Sequence, residues 1–265
     1  LAYSHRERRA TLVAASIGWM FNAMDVILLM LLREQVTADL GATRGEMDLA
    51  IGLGLASSAL GGVLFSQLGD RIGRKRALSI SILIYSFATA AMAFSWDITS
   101  LMVMRAISGI GTGGEWSLGF ALVSECWTAK RRGTAGGAVQ ITYNIGTYIA
   151  ITVAWALGTQ WRYAFGLAAI PALGVYYIRR SVPESKLWTR LRELRAKGEV
   201  PQELERVIRG VPVAAIFRRG LAPVSVVSML VFILMNFAFF TFSPQLPAFL
   251  QASAESGGLA MGEDA

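Results

Sequence analysis

The chain has 265 residues, 54% apolar and 16% charged, with a formal net charge of +7, one Cys and one His. A soluble domain carries charge on about a quarter of its residues, so this chain lacks the polar cover of a water-facing surface, and lipid is the expected solvent. The lone Cys126 and lone His5 exclude a multi-ligand Cys/His metal site within the chain; neither a metal nor another cofactor is expected.

Residues 1–10, LAYSHRERRA, are too charged for a signal peptide, and no cleavage site follows. The first hydrophobic helix is therefore retained. Apolar stretches long enough to span a membrane, about 20 residues, fall at 11–33, 47–69, 77–96, 99–126, 134–158, 161–178 and 221–243. Each carries Gly, aromatic and polar residues at helical spacing, which predicts spans packed on one another: an all-α polytopic membrane protein with seven helices. Basic residues mark cytoplasmic loops. With the N-terminus inside, all 25 Lys and Arg except Arg33, Arg44, Arg105 and Arg162 fall on inner segments. The expected location is the inner (cytoplasmic) membrane with a cytoplasmic N-terminus. The basic pI then needs no nucleic-acid partner, since no aromatic-interleaved basic face accompanies it.

Two motifs are set aside. GIGTGG at 109–114 satisfies the dinucleotide fingerprint but lies within an apolar helix with no preceding strand. Gly109 and Gly113 have the spacing that lets membrane helices approach closely. Ser117 in EWSLG lacks a His base for protease chemistry, the only His being in the charged tail, and the chain is not read as an enzyme. Further on, KLWTRLRELRAK, 186–197, is a basic amphipathic helix suited to the cytoplasmic membrane surface.

Three ionisable residues lie well within spans: Asp25 in the first, Arg105 and Glu115 in the fourth. Such residues usually face a polar cavity, pair with each other and mark substrate or proton routes. Asp25 and Arg105 both fall on the outer side of the midplane and can meet if these two helices are neighbours. Glu115 lies about 15 Å along the helix from Arg105, too far to share it directly, and is a second proton or substrate site or a structural hydrogen-bonding group.

The link GDRIGRKRA, 69–77, resembles the signature loop of the major facilitator superfamily. Asp70, Arg71, Gly73, Arg74 and Lys75 match, while the first Gly of the pattern is replaced by Ser66. RAISGIGTGGEWSLGFALVSECWTAKRRG, 105–133, resembles the fourth helix of the superfamily's sugar and organic-acid symporters, with Glu125 preceding Arg132 and Gly133. VPES, 182–185, resembles their motif after the sixth helix, and GWMFNAMD resembles their first helix. The resemblance implies a six-helix N-terminal bundle of a 12-helix fold plus one further transmembrane helix. The domains are then 1–180, the bundle; 181–220, a cytoplasmic linker with the amphipathic helix; and 221–265, a seventh helix and outer loop that begin a truncated C-terminal bundle. Helices 8 to 12 are absent and residue 1 is Leu, so the chain reads as a fragment of a transporter that is monomeric when complete.

The implied function is secondary active transport of a small organic solute, an organic acid by preference, through proton symport with alternating access. An uncoupled facilitator, a sugar:proton symporter and a non-transporting membrane receptor are the alternatives. Asp25, Arg105 and Glu115 are the candidate proton-coupling residues. Asn22, Arg105, Gln140, Tyr143 and Asn144 are the candidate substrate contacts. Many relatives carry a second acid where this chain has Asn22, which cannot take up a proton, so Asp25 is the only proton carrier of the first helix. Carboxylates at inner helix ends can accept bonds from facing Arg side chains and clamp one side of a bundle. The resemblance implies that Asp70, Arg71, Gly73, Arg74, Lys75, Glu125, Arg131 and Arg132 form such an inner gate. The expected partners are the substrate, protons and the lipid bilayer.

Overall fold

The computed structural model describes residues 3–158, 160–199, 217 and 220–242. The chain divides into two compact units, 1–199 and 200–265. The described residues are almost entirely helical, with no strand among them.

In the first unit, α1 spans His5–Leu31, α2 Arg33–Asp39, α3 Arg44–Ile72, α4 Arg74–Ala91, α5 Ile98–Cys126, α6 Ala129–Leu157, α7 Trp161–Gly166, α8 Ile170–Ser181 and α9 Lys186–Lys197. Their starts are written in the sequence. Ser4 and Glu7, Thr43 and Glu46, and Asp97 and Ser100 each form a reciprocal capping box, which satisfies backbone amides that a helix start leaves bare. Gly73, at φ +103°, turns the chain between α3 and α4, a conformation that only glycine adopts freely.

Three of these helices, α1, α3 and α4 with its 3-10 extension to Phe94, are both long and apolar enough to cross a membrane. Helices α5 and α6 have the length, 29 residues each, or about 43 Å at 1.5 Å per residue. Their glycines, threonines and charges lower their apolarity, because part of their surface packs on other helices and not on lipid. The stretch 161–178, expected as one span, is interrupted: α7 ends at Gly166, a 3-10 turn covers Leu167–Ala169, and Pro171 stands at the start of α8. Proline suits the first helical turn, where its missing N–H is no loss.

Helix α5 lies at the centre, packed on α3, α4 and α1. Glycines permit this. A methyl group on Gly61 of α3 would overlap the Ile110 backbone, and one on Gly113 would overlap Ser58 and Gly62. On the opposite side of α5, two residues away, Gly111 is tight against Ser81 and Tyr85 of α4. Helix α1 packs on α6 in the same way, Gly146 lying on the Met20 carbonyl. At the end away from Gly73, Asp39 of α2 accepts hydrogen bonds from Trp161 (3.2 Å) and Arg162 (2.8 Å), and Arg162 donates to the carbonyls of Ala93 and Ser95. Three connections are thereby tied at one point.

Within the second unit, α10 covers Ala222–Phe242. The linker at 200–216 and the outer segment 243–265 lie outside the described residues.

Candidate functional site: a buried polar column and a charged helix end

Helices α1 and α5 run antiparallel, and their polar residues face each other in order. Arg105 donates to Asp25 at 2.9 Å. One turn back along α1, about 4.5 Å by helical rise, the Asn22 amide donates to Glu115 at 3.4 Å. Asp25 is 3% exposed, Arg105 5%, Asn22 4% and Glu115 2%, so all four lie inside the protein. Gly54 of α3 leaves room for the Arg105 side chain, and Gly18 of α1 leaves room for the Glu115 carboxyl. A side chain at either position would push the ionisable group out of line.

The pair is incompletely satisfied. Asp25 Oδ1 and Arg105 Nε are buried and have no hydrogen-bond partner, as is the Tyr85 hydroxyl of α4. Low dielectric strengthens the Asp25–Arg105 attraction and makes an unpaired member costly. Adding a proton to Asp25 therefore has a large effect on how tightly Arg105 is held.

The expected substrate contacts divide. Gln140 and Asn144 are exposed, one turn apart on α6. Tyr143 is half-buried and packs on Trp19 of α1, ring centroids 5.4 Å apart, beside the stacked Trp19 and Trp116. Asn22 directs its amide to Glu115, and Arg105 directs one guanidinium nitrogen to Asp25.

At the end of the bundle that holds Gly73, the charges form a dense network. Arg74 bridges Glu125 of α5 and Asp70 of α3. Glu184, in the link between α8 and α9, accepts the backbone amides of Lys75 and Ser185, each at 3.0 Å. It sits so close over Gly73 that a side chain there would collide with it. Ser185 donates to Glu125 and caps α9 through the Trp188 amide. The Trp188 indole donates to the Asp70 carbonyl. Lys186 pairs with Glu7 and donates its amide to the Tyr3 hydroxyl; burial pushes that phenol above its ordinary range.

Of the eight residues expected here, Asp70, Gly73, Arg74, Lys75 and Glu125 meet in this network. Arg71, Arg131 and Arg132 are exposed and make no ion pair among the described residues. The expectation omitted Glu184, Ser185 and Trp188. The VPES motif held the signal for Glu184 and Ser185: the Ser185 hydroxyl donates to Glu125, as the arginines were expected to, while Glu184 accepts backbone amides.

The Major Facilitator Superfamily model matches residues 14–262. The probable 4-methylmuconolactone transporter of Cupriavidus pinatubonensis is 33% identical over 196 residues, 72% of this chain and 46% of that protein. The niacin transporter NiaP of Acinetobacter baylyi is 34% identical over 200 residues, 74% of this chain and 45% of that one. The sialic acid transporter NanX of Escherichia coli is 28% identical over 183 residues, 68% and 45%. Among solved structures, the proton:xylose symporter XylE bound to 6-bromo-6-deoxy-D-glucose superposes with a TM-score of 0.64 at 21% identity, covering 80% of this chain and 52% of that one. The chain thus spans about half the length of the curated relatives it matches. Those relatives are transporters and not enzymes, and with its apolar helices the chain is a multi-pass membrane protein. Its helical fold, its signature loop and the family match together make it a member of the Major Facilitator Superfamily.

Proposed function

We propose that the protein carrying this chain moves a small organic anion across the cytoplasmic membrane by proton symport with alternating access, as a monomer with its N-terminus in the cytoplasm. The observation that carries this reading is the isolated, buried Asp25–Arg105 pair. When Asp25 takes a proton, Arg105 loses its counter-charge and becomes available to a substrate carboxylate, which couples proton entry to substrate binding. Glu115 is a second proton-bearing group on the same column. The exposed Gln140 and Asn144, with Tyr143 beside them, form the polar wall that the substrate meets; Asn22 acts on it through Glu115.

The relatives named for niacin, sialic acid and 4-methylmuconolactone support an organic acid over a neutral sugar, as does a buried arginine. The network around Arg74, Glu125 and Glu184 serves as the cytoplasmic gate latch, with Asp70, Gly73 and Lys75 shaping it. Arg71, Arg131 and Arg132 take up the neighbouring surface. In domain terms, 1–180 is the N-terminal bundle, 181–220 the cytoplasmic linker and 221–265 the start of a second bundle. The test is proton flux in proteoliposomes: adding an aromatic or unsaturated carboxylate is expected to drive inward proton movement. Uptake that carries no protons supports a facilitator instead, and absence of any uptake supports a receptor.

A further inference from the structure

The start of α9 is capped from two places. The Ser185 hydroxyl accepts the Trp188 amide, a local cap. The Lys186 amide is accepted by the Tyr3 hydroxyl at 2.8 Å, from a residue 183 positions away. Bare amides at a helix start need partners, but nearby side chains or water suffice for that. A phenol brought from the start of α1 also fixes where α9 lies.

Two further contacts converge on the same lysine. Its ammonium pairs with Glu7 at 3.2 Å and lies over the Tyr3 ring, 4.5 Å from the centroid. Tyr3 is buried, and the Glu7 carboxylate is itself held in place, because it also accepts the Ser4 amide in the box that closes the start of α1. Lys186 is thus docked on the cap of α1. Its neighbours in sequence engage other helices. Glu184 accepts the Lys75 amide at the start of α4, Ser185 donates to Glu125 of α5, and the Trp188 indole donates to the Asp70 carbonyl of α3. Residues 184–188 therefore touch the ends of α1, α3, α4 and α5, and within this stretch Lys186 makes the tie to α1, the helix that carries Asp25.

We propose that Tyr3, Glu7 and Lys186 form a strap that fastens α1 to the latch around Arg74, Glu125 and Glu184 and holds that latch closed. Helix α1 is unbroken from His5 to Leu31, so a displacement at Asp25 reaches this end as a displacement of the helix and loads the strap. The proposal rests on the reading of the Arg74 network as the cytoplasmic latch.

The test combines two readouts on the full-length protein carrying this sequence, in lipid nanodiscs. Hydrogen–deuterium exchange at the Lys186 amide reads the strap. Labelling of Gly137→Cys by a soluble maleimide, in a Cys126→Ala background, reads opening of the cytoplasmic side. Gly137 is exposed on α6, one turn from Gln140 toward the helix start, and a methyl group there meets open space. Tyr3→Phe keeps the ring and removes the acceptor; Lys186→Met keeps the stem and removes the charge. Loss of one hydrogen bond of ordinary net strength shifts an equilibrium about fivefold, and Tyr3→Phe is expected to speed exchange and raise labelling by about that factor. Lys186→Met is expected to raise labelling about two- to fivefold, as for a part-exposed ion pair. Exchange at the wild-type rate in Tyr3→Phe overturns the proposal. So does wild-type labelling in both strap variants when Arg74→Ala raises it. Wild-type labelling in Arg74→Ala refutes the latch reading, and the gating role of the strap with it.

Discussion

Around Asp25 and Arg105 the bundle supplies one bond between two buried ions and leaves an oxygen and a nitrogen without partners. At the basic end, Glu184 alone accepts two backbone amides, and Glu125 meets both Arg74 and Ser185. The first site is poor in partners because it lies between apolar helices, where a change of one proton alters the whole balance. The second is rich in partners because its groups sit at helix ends, where capping needs and side-chain charges coincide. In the proposed reading the under-satisfied site is the one that responds to a proton, while the site that holds helix ends in place is saturated.

The sharpest way to break this contrast is to remove one buried ion. Arg105→Leu leaves Asp25 uncompensated and is expected to destabilise the chain by about 3–5 kcal/mol, whereas Arg105→Leu with Asp25→Asn recovers most of that loss. Denaturant titration of the purified chain in detergent measures both. If the single and double variants are equally unstable, the pair is not coupled.

Next in size is the basic end. Arg74→Ala removes the bridge between α3 and α5 and is expected to cost about 1–3 kcal/mol, less than the buried ion because the Arg74 side chain is 20% exposed. Glu184→Gln keeps one acceptor for the two amides and is expected to cost about 1 kcal/mol or less. Its effect should also show as faster hydrogen exchange at the Lys75 and Ser185 amides. Smallest are Arg71→Ala and Arg131→Ala, on exposed side chains, expected within about 0.5 kcal/mol. A loss of stability at Arg131 as large as that at Arg74 would show that the latch extends beyond the residues seen to touch.

Much of this was legible in the sequence because membrane burial is blunt. Long apolar runs located α1, α3, α4, α5 and α6, with helix ends differing by up to six residues, as at the start of α1, and the depth of Asp25 and Arg105 put them at one level. The break at Leu167–Ala169 was not legible, since an apolar stretch reads the same whether its helix is continuous or interrupted. Nor was the union of Asn22 with Glu115, because it depends on how α1 and α5 are rotated, and that rotation is set by small residues such as Gly18 and Gly146. Arg131 and Arg132 were expected in the gate because charge alone does not say which way a helix-end side chain points.

The most direct measurement of the central claim is substrate-driven proton flux in proteoliposomes of the protein carrying this sequence, with wild-type and Asp25→Asn side by side. The coupling role of Asp25 predicts that the variant loses proton-driven accumulation and keeps counterflow exchange of substrate. Proton-driven accumulation at the wild-type level in Asp25→Asn would contradict it.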